Sequence, residues 1–230
     1  MPTPVELTDR YVRGIDLARR LHAGEARKGT AIPYLAHPLS VSAIVLEHGG
    51  SEDQAIAALL HDTAEDHGGQ VRIDRIRTDF GDTVADIVAA CSDSLVEDRD
   101  AKAPWWERKA GYVGHLASES AEVALVSAAD KLHNARAILG DYRVLGDDVW
   151  SRFNPAAGRA GALWYYTRLI EILTDRLSGT PGAELAAELT RTVAAIVALA
   201  EEHGHRPIDE IAEGRAREAD ALAGISAEGV

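Results

Sequence analysis

Cysteine occurs once in the 230 residues, at Cys91, so no disulfide can form within the chain. A disulfide-stapled secreted scaffold is excluded, and a reducing compartment is the expectation. Phenylalanine occurs twice and aromatics make up 5% of the chain. The β-branched and aromatic runs that build strands are correspondingly scarce. No apolar run approaches the ~18 residues of a membrane span; Val193 to Ala200 suffices only for part of a core helix. The opening Met1-Pro2-Thr3-Pro4-Val5-Glu6 lacks the charged and apolar regions of a secretory signal. A basic excess is missing too. Lys and Arg number 24 against 37 Asp and Glu, a net charge of −13, which argues against a nucleic-acid surface. These absences leave a cytoplasmic protein with neither nucleic acid nor membrane as partner. A small anionic ligand stays compatible, because a metal and a few local cations override the global field.

What is abundant is alanine, and with leucine it favours helix, so the fold class is all-α. Thr3, Pro4 and Glu6 read as an N-cap, an N1 proline and a capping-box acid for a helix over 4–23. Gly24 to His37 reads as a loop, and Pro38 opens a second helix ending near Gly49-Gly50. Ser51 and Gln54 form another capping box, opening a third helix that carries Ala55 to Glu65 until Gly68-Gly69 breaks it. Further helices are predicted over 71–80, 82–91, 104–118, 121–140, 146–152, 158–178 and 183–203. The segment after Pro207 reads as a docked helix or a frayed tail. No internal repeat or linker is evident, so residues 1–178 form one helical domain and 179–230 a C-terminal helical extension able to pack on it.

Polar residues interrupt this apolar pattern in three places. In Leu59-Leu60-His61-Asp62-Thr63-Ala64-Glu65-Asp66, helical spacing puts His61, Asp62, Glu65 and Asp66 within an arc of about 140°. One imidazole and three carboxylates beside a buried apolar surface are costly unless a cation compensates them. The alternative is a cap or salt-bridge cluster at an exposed helix end. His37 precedes Pro38, which pushes it toward a fixed extended conformation at a helix start. Asp130 lies in a second alanine-rich helix and shares a face with Asn134. Mixed imidazole and carboxylate ligation by His37, His61, Asp62 and Asp130 suits Mn, Fe, Co or Zn better than Mg or Ca. Glu65 and Asp66, one turn on, would then position and deprotonate a water.

Taken in order, these pieces resemble the HD-domain metal-dependent phosphohydrolases, within them the hydrolase domain of the Rel/SpoT alarmone enzymes and the small alarmone hydrolases. The matching pieces are His22 with Arg27-Lys28, Pro33-Tyr34-Leu35-Ala36-His37-Pro38, and Ala57 to Asp66. Phe80-Gly81, Glu107-Arg108-Lys109 and Ala129-Asp130-Lys131-Leu132-His133-Asn134 complete the set. The resemblance covers roughly residues 8 to 170. It departs from the family at Lys28 to Pro33 and at Asp66-His67-Gly68-Gly69.

The resemblance implies an all-α HD-domain bundle. It implies Mn²⁺-dependent removal of the 3′-pyrophosphate from guanosine tetra- or pentaphosphate, a small anionic nucleotide. His37, His61, Asp62 and Asp130 match the metal ligands. Glu65 and Asp66 match the catalytic pair that activates water. Arg27, Lys28, Tyr34 and Asn134 match nucleotide contacts, Arg108 and Lys109 match a basic pair near the phosphates, and Arg159 and Tyr165 supply further contacts. About 60 residues follow the matched region, too few for a synthetase domain, so the alarmone activity is expected to be degradative only. Two alternatives stay open. One is an HD-type phosphohydrolase acting on NADPH, an adenosine alarmone or a nucleoside phosphate; the other is a non-catalytic nucleotide-binding regulator. Trp105-Trp106 and Trp164-Tyr165-Tyr166 read as core or an oligomer contact, His133 as a partly buried structural histidine, and His67 as a loop histidine.

Overall fold

Capping side chains set most of the helix starts. The computed structural model describes residues 4–98 and 101–228. Eleven α-helices lie within them: α1 Asp9–Leu21, α2 Ala36–Glu47, α3 Glu52–Leu60, α4 Thr63–Asp66, α5 Gly69–Phe80 and α6 Asp82–Cys91 follow one another. After them come α7 Trp105–Leu116, α8 Ala121–Leu145, a 3-10 segment Gly146–Arg152, α9 Gly158–Arg176, α10 Ala183–Glu202 and α11 Pro207–Glu228. Among the described residues there is no strand, only an isolated bridge between Ala26 and Pro33. The all-α expectation holds, and no described helix is long and apolar enough to cross a membrane.

Ser51 and Gln54 form the predicted capping box. Ser120 caps α8 by accepting from the Val123 amide. The first helix departs from expectation. Thr3 lies outside the described residues, and α1 starts at Asp9 with Thr8 as its cap. Glu52 accepts from both the amide and the hydroxyl of Thr8, at 2.6 and 2.8 Å. That grip fixes where α1 begins and ties it to α3.

α8 is the axis of the molecule. From Val123 to Ala129 every side chain is buried, as are all residues of α3 from Gln54 to Leu60. Small alanines let these apolar helices approach closely, and α2, α3 and α6 pack on α8. Leu59, Leu60 and Leu132 are wholly buried, and burial of each contributes about 1.5–3 kcal/mol. α10 packs on α8 and α9, and α11 on α9 and α7. The segment after Pro207 is therefore a docked helix. Gly214 lies against Trp164, where a Cβ would come within 2.3 Å of Trp164 Cβ. Trp164 Nε1 donates to Glu218 at 3.0 Å. The Trp164-Tyr165-Tyr166 run is core; Trp105 packs edge-on against Trp164 and Tyr165, and Trp106 lies tilted against Trp164.

Two local departures shape the polar center. His37 is the second residue of α2 and not an extended residue ahead of it. Pro38 falls in the first helical turn, where its missing N–H had no intrahelical partner to lose. The third helix stops at Leu60, and His61 and Asp62 form a turn into the short α4. Side chains take over the backbone acceptors there: His61 Nδ1 donates to the Ala58 carbonyl at 2.8 Å and Thr63 Oγ1 to that of Leu60 at 2.6 Å. Such side-chain bonds offer the backbone an alternative to the helix ladder.

Candidate metal centre and nucleotide cavity

Four side chains from three parts of the fold meet at one point. α2 supplies His37, the turn after α3 supplies His61 and Asp62, and α8 supplies Asp130. His61 Nε2 stands 3.1 Å from Asp62 Oδ2 and 3.6 Å from Asp130 Oδ1. His37 Nε2 stands 3.5 Å and 3.2 Å from the same two oxygens.

The chemistry of this donor set fits a metal ion. The bond from His61 Nδ1 to the Ala58 carbonyl places the proton of the neutral ring on Nδ1, so Nε2 is a lone pair. That nitrogen is buried with no hydrogen-bond partner. A lone pair among carboxylate oxygens is stable only with a cation between them, a proton or a metal. Burial alone would disfavor the His61 imidazolium, but Asp62 and Asp130 outweigh it and push its pKa well above the usual histidine value. Burial would likewise raise both carboxyls, yet His61 beside Asp62, and Lys131 and the two histidines beside Asp130, hold them well below the ordinary range. Two imidazole nitrogens and two carboxylate oxygens at this spacing suit a divalent transition metal.

Around these four, further groups fix their orientation. His37 Nδ1 lies 2.8 Å from His133 Nδ1. Burial, then the neighboring His37 and Arg27, push the His133 pKa down to about 4, so it is a neutral partner. The Tyr34 hydroxyl donates to Asp62 Oδ2. Burial and Asp62 keep that phenol protonated far above its usual range. Asp130 Oδ1 accepts from Asn134 Nδ2 at 2.6 Å, and Asn134 Oδ1 accepts from Arg27 at 2.8 Å. Lys131 Nζ pairs with Asp130 Oδ2 at 2.6 Å and lies over the Tyr112 ring. Such outer partners set ligand tautomer and basicity.

The center opens into a cavity of about 460 Å³, an ordinary size for a small-molecule site. Arg27, Lys28, Tyr34, His37, Asp62, Glu65, Asp66, Lys109, Asp130, Asn134 and Tyr165 all line it. The Ala26–Pro33 bridge makes a small hairpin, with Arg27 N donating to Ile32 O and Tyr34 N to Glu25 O. Gly29 sits at its tip with φ +73°, where a Cβ would meet the Arg152 side chain at 2.6 Å.

Glu65 is partly buried, with Lys102 donating to its backbone carbonyl at 3.0 Å. Burial and the neighboring Asp93 raise the Glu65 carboxyl above its usual pKa. Arg108 and Lys109 converge on Asp93, whose side chain is 2% exposed. Arg108 does not line the cavity, though Nη1 comes within 3.8 Å of Glu65 Oε1.

Arg159 is not brought to this center. Its guanidinium grips Glu210 of α11 at 2.8 Å and faces Asp147 at 3.4 Å, so it belongs to the docking of α11. Sequence reasoning missed Asp93, Lys102 and Lys131 as neighbors of the cavity. It gave His133 a structural place only, where its ring partners His37. Lys131 had the one available signal, adjacency to Asp130 at the end of the buried run Val123 to Ala129 of α8. Asp93 and Lys102 both lie in the connection between α6 and α7 and carry no periodic signal.

The profile of the HD-domain family matches residues 14–163. This chain belongs to that family. The HD-domain chain is 37% identical over 124 residues to the guanosine-3′,5′-bis(diphosphate) 3′-pyrophosphohydrolase MESH1 of Xenopus tropicalis, covering 53% of this chain and 65% of that protein. It is 35% identical over 124 residues to a GTP pyrophosphokinase of Streptomyces coelicolor, covering 54% of this chain and 14% of the relative. The crystal structure of lmo0812 from Listeria monocytogenes EGD-e aligns with TM-score 0.60 and 31% identity, over 70% of this chain and 97% of that one. The HD-domain match thus contains the His61-Asp62 pair, His37 and Asp130, and ends inside α9.

Proposed function

We propose that this chain hydrolyzes the 3′-pyrophosphate of guanosine tetra- or pentaphosphate, releasing GDP or GTP and pyrophosphate, with Mn²⁺ held by His37, His61, Asp62 and Asp130. The observation that carries this reading is the buried, unpartnered Nε2 of His61 facing two carboxylates at the wall of a cavity that also holds Arg27, Lys28 and Lys109. The 3′-pyrophosphohydrolase name of the Xenopus relative points to the same substrate class. Bound there, a divalent metal supplies Lewis-acid polarization of a phosphate and an acidified water.

The chain's own residues do the rest. Glu65, with Asp66 beside it, takes the proton of the attacking water; a carboxyl pushed above its usual pKa by burial is the better base. Water oxygen bonds to the phosphorus next to the 3′-oxygen, and the bond from that phosphorus to the 3′-oxygen breaks. The 3′-oxygen leaves as a hydroxyl by taking a proton from solvent, while the proton held by Glu65 returns to solvent. Lys109 and the Arg27–Lys28 pair neutralize the charge that builds on the phosphates. Asn134, linked to both Arg27 and Asp130, fixes the nucleotide side of the cavity relative to the metal side. Tyr34 and Tyr165 wall the nucleotide. The same reading makes the protein a cytoplasmic enzyme of the stringent response.

The test is a panel of guanosine, adenosine and nicotinamide phosphates incubated with Mn²⁺, with products identified by mass. Pyrophosphate release confined to 3′-pyrophosphorylated guanosine, abolished by Glu65→Gln and by metal chelation, is the expected result. Orthophosphate release from another nucleotide would assign the site to a different phosphohydrolase. Tight binding without turnover would make it a nucleotide-binding regulator.

A further inference from the structure

We propose that His22, Glu25 and His67 form a second metal-ion site, separate from the center at His61-Asp62. They come from three parts of the fold: His22 caps α1, Glu25 begins the hairpin, and His67 follows α4. Their ligand atoms face one another. His22 Nδ1 lies 2.8 Å from Glu25 Oε2. His67 Nε2 lies 3.4 Å from Glu25 Oε1 and 3.4 Å from His22 Nδ1. Donors around a tetrahedral ion at about 2.0–2.1 Å stand about 3.3 Å apart. The two His67 distances match that shell and the 3.1–3.6 Å spacing of the first center. The His22–Glu25 pair, hydrogen-bonded at 2.8 Å, opens by about half an ångström to admit an ion.

The donor set indicates the ion. Two imidazoles and one carboxylate are the ligands of open zinc sites, and zinc or a similar late transition metal fits better than magnesium or calcium. The His22 side chain is 1% exposed while those of Glu25 and His67 are 38% and 22% exposed. One ligand is held rigidly by the core, and water has access to complete the shell. Without an ion His22 Nδ1 donates to Glu25, and a metal ion takes the place of that Nδ1 proton between the same atoms.

The placement also assigns a role. None of the three residues lines the cavity. The His22 ring instead packs on Tyr34 with centroids 4.6 Å apart, and Tyr34 reaches Asp62 on its other side. An ion here joins the end of α1, the root of the hairpin and the α4–α5 turn. It is a clip that fixes the segment carrying Arg27, Lys28 and Tyr34. The site does not depend on the identity of the nucleotide or on turnover.

The experiment strips the full chain with chelator, reloads it with Zn²⁺ and counts bound ions per chain by elemental analysis after desalting. Wild type should hold two. The double variant Glu25→Ala/His67→Ala, at the two partly exposed positions, should hold one. His61→Asn should also hold one, and the triple variant none. Circular dichroism confirms that each is folded. In His61→Asn, Zn²⁺ should slow amide exchange across residues 25–34, and in the triple variant it should not. A single ion in wild type, or two in the Glu25→Ala/His67→Ala protein, would overturn the proposal. Because the ions are counted without substrate, these outcomes are independent of the pyrophosphohydrolase assignment.

Discussion

Replacing Asp93 with asparagine removes a buried carboxylate that two cations share, while changing almost no volume. Arg108 and Lys109 both pair with it, Lys109 at 2.6 Å. Burial alone would raise the Asp93 carboxyl; Lys109 and then Arg108 reverse this and pull it from 3.8 to about 2. A depression of nearly two units corresponds to about 2 kcal/mol of stability, at about 1.4 kcal/mol per unit. The sign follows from the direction. The folded carboxyl holds its proton more weakly than the unfolded one, so this stability is fully present above pH 4 and disappears as pH falls through about 2. Asp93→Asn should therefore unfold in urea with about 2 kcal/mol less stability at pH 7, a loss of about 4–8 °C in Tm for a chain of this size. The gap between wild type and variant should narrow steadily as the pH is lowered from 4 toward 2. Equal stability at pH 7, or a gap that persists unchanged in acid, would refute the assignment of Asp93 as the electrostatic anchor of Arg108 and Lys109.

Two further outcomes follow from the packing. His133→Ala removes the partner of His37 Nδ1 without touching a proposed ligand; metal affinity measured by titration should fall roughly 10–100-fold, with the fold intact. Gly214→Leu forces a side chain into Trp164 and should release α11, so that amides of 207–224 exchange faster while those of α3 and α8 keep their protection; unchanged protection in α11 would show that its docking does not run through this contact.

Much of the secondary structure was legible because its signals are local. Residues 82–91 form a helix as predicted, and the Ser51–Gln54 box closes as its spacing requires. Where a prediction failed, a contact from elsewhere had intervened. Glu52 captured Thr8 and moved the start of α1. The helical spacing of its polar residues predicts one continuous helix over 55–65, but the side chains of His61 and Thr63 bond back to the carbonyls and the helix breaks at Leu60. The extended state expected of His37 yielded to a proline lying in the first turn of α2.

The sequence by itself determined the all-α class and which imidazoles and carboxylates interrupt its apolar helices, because periodicity, caps and residue chemistry are written along the chain. Tertiary structure alone decided that His37, His61, Asp62 and Asp130 share one point, that Asp93 collects Arg108 and Lys109, that Arg159 turns away to Glu210, and that His22, Glu25 and His67 face one another. Most of those meetings join residues far apart in the chain, and their geometry follows from how the helices and their connections pack, which no local pattern encodes.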